Sequence, residues 1–247
     1  HNLRKKAKTK GMKRVLGMVL GLCFFLPCAR ANMPRSTEAG EGAGAAVCAS
    51  AEENAGQGVE GKVELASDAK AAYMMDWASG TEIYARNADE RLPIASMCKI
   101  MTMILCFDEI DAGNLSLDEE IRVSENASSM GGSQVFLKAN ASYPVRELIK
   151  SVAVCSANDS CVALAERIAG SESLFTDRMN ARAKEIGAEN TLFANCTGLP
   201  REPQYSCARD VAKMLAELVS HDGYFAFSTV WTDKFSHPEG RYTEISN

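Results

Sequence analysis

Between residues 70 and 86 two short runs, 70–76 and 81–86, read as strands and flank Trp77-Ala78-Ser79-Gly80. Their spacing and the glycine predict a hairpin with a four-residue loop. Leu92-Pro93-Ile94-Ala95 then leads into an apolar stretch over 96–112, long enough for a helix and stopped by Gly113. Residues 118–123 and 133–137 read as short extended pieces on either side of the flexible Gly131-Gly132. From Pro144 onward the period changes. Pro144 suits a first-turn position, and Val145, Leu148, Ile149 and Val152 recur at helical spacing. Three more helices follow, over 159–169 (Val162, Ala165, Ile168 and Ala169 on one face), 174–186 (Phe175, Met179, Arg182, Ile186) and 206–219 (Val211, Met214, Leu215, Leu218). Residues 230–235 and 241–245 read as strands. A strand hairpin followed by a block of helices predicts an α+β domain, a sheet with helices packed on it and a helical lobe beside it.

The amino end breaks this pattern. Arg4, Lys5, Lys6, Lys8, Lys10, Lys13 and Arg14 form a basic head without an acid, residues 15–27 are apolar, and Ala29-Arg30-Ala31 offers small residues for cleavage. That order reads as a secretory signal over 1–31, so the protein is expected to be exported. The apolar run is short for a permanent anchor, since a membrane-crossing helix needs roughly 20 residues. Residues 32–61 are rich in Ala, Gly and Glu and poor in large apolar side chains, which predicts a flexible tether. The folded domain is expected over 62–247.

Setting the leader aside sharpens the charge. The whole chain carries 27 basic and 32 acidic residues; eight of the basic ones lie in 1–31, so the remainder stands at 19 against 32, a net −13. Nucleic-acid binding depends on neutralising phosphates with basic residues, so it is excluded as a function class. Nine cysteines in an exported chain raise the question of disulfides. Cys23 and Cys28 fall in the leader. The other seven (Cys48, Cys98, Cys106, Cys155, Cys161, Cys196, Cys207) are an odd number without a CxxC pair, and several sit in apolar helical stretches. They are expected to act as small buried hydrophobes, with no metal and no cofactor.

Ser96-Met97-Cys98-Lys99 places a hydroxyl and an amine three residues apart, hence on one face of the predicted helix. A neutral lysine amine can take the serine proton, and a helix N-terminus supplies N–H groups where an oxyanion forms. The structural alternative is an N-cap serine followed by a solvent-facing lysine. Ser156-Ala157-Asn158 lies at the junction of two predicted helices, where it serves either a substrate and a proton or simply caps the next helix through Asn158 or Asp159. Histidine occurs only at His1, His221 and His237, none near Ser96 in sequence, and neither G-x-S-x-G nor H-E-x-x-H is present. A lysine base is therefore the economical reading.

These residues and their order resemble the penicillin-recognising serine hydrolases. The stretch 71–247 is similar to the low-molecular-mass penicillin-binding proteins that are D-alanyl-D-alanine carboxypeptidases of peptidase family S11. The resemblance rests on Pro93-Ile94-Ala95-Ser96-Met97-Cys98-Lys99-Ile100-Met101-Thr102, Gly131-Gly132-Ser133-Gln134, Ser156-Ala157-Asn158-Asp159, Val162-Ala163-Leu164-Ala165-Glu166 and Tyr205-Ser206-Cys207-Ala208-Arg209-Asp210. It implies a beta-lactamase/DD-peptidase-like fold with an antiparallel sheet. Ser96 would be the acylated nucleophile, Lys99 its general base, Ser156 a proton-transfer group, and Asn158 a substrate-binding residue that also positions the lysine. The implied partners are peptidoglycan stem peptides ending in D-Ala-D-Ala, with beta-lactams as inhibitors, at the outer face of the cytoplasmic membrane, in the periplasm or in the cell wall. The family's Lys-Thr-Gly motif has no counterpart in 1–247 and is expected beyond Asn247, in a chain taken to be a fragment; a second domain and a membrane anchor are common further on.

Two other readings share part of this pattern. A class A beta-lactamase would carry Glu-x-x-Leu-Asn, of which 189–192 supplies the first four positions and Phe193 replaces the Asn. A non-catalytic wall-binding or beta-lactam-sensing module would keep the fold with a degenerate site.

Overall fold

The computed structural model describes residues 65–247. The expected leader, tether and domain boundary, with Cys48, lie outside them. The first strands, β1 (Ala72–Met75) and β2 (Glu82–Arg86), pair antiparallel with a register shift between Met74 and Met75. Asp76 builds the loop between them. Its carboxylate accepts the Ser79 N–H at 2.7 Å and the Ser79 hydroxyl at 2.6 Å, while its own N–H reaches the Thr81 carbonyl at 2.9 Å.

A 3-10 turn at Ala95–Cys98 runs into α1 (Lys99–Asp111). The sequence predicts one helix from Ser96, but Ala95 lies at φ +46° and the Met97 N–H closes on the Ile94 carbonyl three residues back. The first turn is thereby wound tighter than the rest. Because the middle of α1, residues 100–107, is apolar on all sides apart from Thr102, that stretch must be enclosed on all sides. Residues 101–107 are all buried, and α3 (Val145–Cys155), α4 (Asn158–Ala169), α5 (Glu172–Ile186) and α6 (Ala208–Leu218) pack around it. The predicted stripes supply those faces. Val145, Leu148, Ile149 and Val152 of α3 are buried, as are Phe175 and Met179 of α5 and Met214 and Leu218 of α6. Each large side chain enclosed this way contributes about 1.5–3 kcal/mol. Arg182 of α5 lies on the same stripe but answers to charge, pairing with Asp108 at 2.9 Å and with Glu217.

Strand β3 (Glu120–Arg122) pairs with β4 (Ser142–Pro144), which the sequence left unassigned, with Ile121 opposite Tyr143. Pro144 caps α3 from its extended conformation instead of occupying the first turn. Two further short helices are α2 (Glu125–Ser128), capped by the Ser124 hydroxyl, and α7 (Phe225–Ser228). The expected strand at 133–137 is not one. The N–H groups of Val135 and Leu137 are taken by the Asp159 carboxylate at 3.2 Å and 2.9 Å, and Phe136 adopts φ +64°. A side chain has captured the donors a neighbouring strand would need.

The last strands, β5 (Thr232–Ser236) and β6 (Tyr242–Ser246), form an antiparallel ladder that buries Phe235 and Ile245 and lies on α3, where Lys150 pairs with Asp233 at 2.7 Å. The α+β class and the antiparallel pairing agree with expectation. Among the described residues the strands join as three two-stranded ladders.

Candidate active site

Ser96 sits exposed in the 3-10 turn, and Lys99 opens α1 with only 5% of its surface accessible. The Lys99 amine donates to the Ser96 Oγ at 3.3 Å and to the Thr197 carbonyl at 2.6 Å. No side-chain cap is made at the start of this helix, and the lysine is enclosed. The capping alternative for Ser96 therefore has no geometry behind it.

Ser156 occupies the corner between α3 and α4 in the left-handed conformation, φ 58° and ψ 38°. Its Oγ is buried without a hydrogen-bond partner. Ser96, Lys99 and Ser156 line one cavity of about 210 Å³, whose remaining wall includes Ile100, Met103, Leu218 and Tyr224. A larger cavity, about 250 Å³ between α5 and the 193–201 segment, shares none of these residues.

Asn158 is placed differently. It is the first residue of α4 and does not cap it; its N–H goes to the Ser133 carbonyl at 2.7 Å and its amide to the Gly131 carbonyl at 2.7 Å. Nor does Asp159 cap the helix, since its carboxylate holds Val135, Leu137 and the Ser160 N–H. The Ser-x-Asn triplet thus splits, with Ser156 turned to the cavity and Asn158 to the Gly131–Gly132 segment. A Cβ on Gly132 would stand 2.8 Å from the Asn158 amide nitrogen, so glycine there keeps room for that contact.

The residues that sequence reading missed lie in 195–198. The Thr197 carbonyl, not Asn158, is the second hydrogen-bond partner of the Lys99 amine. The available signal was the Asn-x-Thr-Gly string, which favours a turn closed by the Asn side chain. The two histidines among the described residues, His221 and His237, are engaged elsewhere. His221 Nδ1 meets Asp111 at 2.6 Å and its Nε2 has no hydrogen-bond partner, while His237 lies between Tyr143 at 3.1 Å and Thr243 at 2.8 Å. Cys98, two residues from Ser96, is no rival nucleophile: burial pushes its thiol well above the usual range, and it donates to the Asn195 carbonyl at 3.2 Å. Cys106, Cys161, Cys196 and Cys207 are buried as expected, and burial raises Cys161 to about 12. Glu189, the residue a beta-lactamase reading needs, is exposed and outside the cavity.

Known proteins resemble the chain in sequence and fold. Residues 58–243 match the D-alanyl-D-alanine carboxypeptidase family, peptidase S11. The carboxypeptidase DacF of Bacillus subtilis is 44% identical over 170 residues, which make up 69% of this chain and 44% of the relative. The crystal structure of the carboxypeptidase DacD from Francisella tularensis superposes with a TM-score of 0.70 at 40% identity, over 73% of this chain and 44% of that one. Penicillin binding protein 5 from Haemophilus influenzae gives 0.67 at 30% identity, over 72% and 52%. The chain spans less than half the length of the Bacillus relative and of the DacC and DacA relatives from Escherichia coli. Over the region described it belongs to the D-alanyl-D-alanine carboxypeptidase family.

Proposed function

We propose that the protein is a serine-type D-Ala-D-Ala carboxypeptidase that removes the terminal D-Ala from peptidoglycan stem peptides. The observation that carries this is the Ser96 hydroxyl 3.3 Å from a buried Lys99 amine, in a cavity shared with the unpartnered Ser156 hydroxyl. In the first step the Lys99 amine, as its free base, takes the Ser96 proton while Oγ bonds to the carbonyl carbon of the penultimate D-Ala. The tetrahedral adduct collapses by breaking the C–N bond, and the proton held by Lys99 passes through Ser156 to the departing D-Ala amine, which returns the lysine to its free base. Water then attacks the Ser96 ester and gives a proton to Lys99; the bond from the acyl carbon to Oγ breaks, Oγ takes that proton back, and the shortened peptide leaves. Asn158 serves from the Gly131–Gly132 side as a substrate-binding residue.

Beta-lactams are the corresponding inhibitors, in keeping with the name of a solved relative, penicillin binding protein 5 of Haemophilus influenzae. The site of action is outside the cytoplasm, at the outer face of the cytoplasmic membrane, in the periplasm or in the cell wall. No helix among the described residues is long and apolar enough to cross a membrane.

The test uses full-length protein. A fluorescent penicillin is expected to label it covalently and Ser96→Ala to abolish the label. A diacyl-Lys-D-Ala-D-Ala peptide is expected to release D-Ala. Undiminished labelling of Ser96→Ala removes the nucleophile assignment, and a labelled protein that releases no D-Ala leaves a binder in place of a peptidase.

A further inference from the structure

The segment 195–198 meets the nucleophile helix through three successive carbonyls. The Cys98 thiol donates to the carbonyl of Asn195 at 3.2 Å, the Thr102 hydroxyl to that of Cys196 at 2.7 Å, and the Lys99 amine to that of Thr197 at 2.6 Å. Gly198, at φ +82°, lies so close to the start of the turn that a Cβ would fall 1.9 Å from the Ala95 carbonyl oxygen and 3.0 Å from the Ser96 nitrogen. One loop therefore touches both the serine backbone and the lysine amine.

What shapes that loop is the Asn195 side chain, itself only 5% exposed. Its Oδ1 accepts the Gly198 N–H at 2.8 Å, the Thr197 N–H at 3.2 Å and the Thr197 hydroxyl at 3.3 Å, while Nδ2 donates to the Leu199 carbonyl at 2.8 Å. Outside the loop, the Gln204 Oε1 accepts the Asn195 N–H at 3.2 Å. An amide oxygen receiving three donors folds the backbone around itself, and the carbonyl it turns outward is the one the Lys99 amine meets.

We propose that Asn195 is a positioning residue for the Ser96–Lys99 pair, acting through the Thr197 carbonyl. The inference rests on the carboxypeptidase reading. Asn195 touches neither the serine nor the lysine side chain in the described hydrogen bonds; it sets where the lysine amine can sit. Small errors there are costly, since a misplacement of about 1 Å can lower a rate roughly 100-fold.

The experiment compares full-length parent, Asn195→Ala and Asn195→Asp in D-Ala release and in the rate of acylation by fluorescent penicillin. Asp keeps an oxygen for the three donors and loses only the donation to Leu199. The expected result is a kcat and an acylation rate lowered roughly 10- to 100-fold in Asn195→Ala with KM within about twofold, and recovery in Asn195→Asp to within about fivefold of the parent. If Asn195→Ala gives no cooperative melting, Asn195→Ser, whose oxygen is too short to reach all three donors, replaces it under the same expectations. A kcat unchanged in the Ala or Ser variant overturns the proposal, as does a raised KM at constant kcat, or an Asp variant as slow as Ala. A parent that releases no D-Ala, or a Ser96→Ala variant that still takes the label, counts against the carboxypeptidase reading instead and is seen before any Asn195 variant is measured.

Discussion

Two irregular segments border the candidate site, and they are tied down with opposite polarity. Segment 133–137 gives away its N–H groups, which converge on one buried carboxylate, Asp159 of α4. Segment 195–197 gives away its carbonyls, one each to Cys98, Lys99 and Thr102 on the turn and helix that carry Ser96 and Lys99. The first arrangement gathers two backbone donors of a loop on a single side chain; the second spreads three backbone acceptors over three side chains. A concentrated anchor should fail all at once, a distributed one by degrees.

The largest expected effect is therefore at the concentrated anchor. Asp159→Ala orphans the N–H groups of Val135 and Leu137 inside the protein, at about 1–3 kcal/mol each, so urea denaturation is expected to show a loss of roughly 3–5 kcal/mol. A loss near 1 kcal/mol would mean that 133–137 is held by other contacts. Thr102→Val removes one of the three donors from the distributed anchor and leaves the Cys196 carbonyl unpaired, for a loss of about 1–2 kcal/mol by the same measurement. If this variant is as damaging as Asp159→Ala, the two anchors do not differ in kind.

The smallest expected effect is a pH dependence. His237 fixes β6 to segment 133–137 through Thr243, whose hydroxyl donates to the Val135 carbonyl at 3.1 Å. Burial, then the nearby Arg241, hold its imidazole below the usual value of 6.5, with Asp159 opposing. Between the depressed folded value and 6.5 the unfolded chain binds more protons, so stability is complete above 6.5 and declines as the pH falls through that window. The melting temperature of the parent is expected to drop between pH 7.5 and 5.5 more than that of His237→Gln; parallel curves would remove His237 as the cause.

The same contrast explains what could be read from sequence. Helices α3 to α6 were legible because their apolar faces repeat locally: Val145, Leu148, Ile149 and Val152 point to the core through spacing alone. Ser96 and Lys99 were legible because three residues apart on a helical start is enough to bring them together. The loops were not. The donors of Val135 and Leu137 are captured by a side chain more than 20 positions away, and no periodicity announces such a capture. Likewise, Asn158 in sequence looks as if it should act beside Ser156, but the left-handed Ser156 turns the chain between them, and the amide points to Gly131. The lysine's partner at residue 197 is the backbone carbonyl, which every residue type carries, so nothing in the side chain singles it out.

That left-handed corner also decides which amino acid can hold the hydroxyl. In the proposed proton transfer, threonine at position 156 would serve as well as serine, since the two alcohols differ little in acidity or reach. The backbone is less tolerant: at φ 58° a β-branched side chain crowds its own main chain, whereas serine has a single light substituent on Cβ. Selection at this position is thus made by a torsion angle before any chemistry is compared, and the choice of serine over threonine records the shape of the turn.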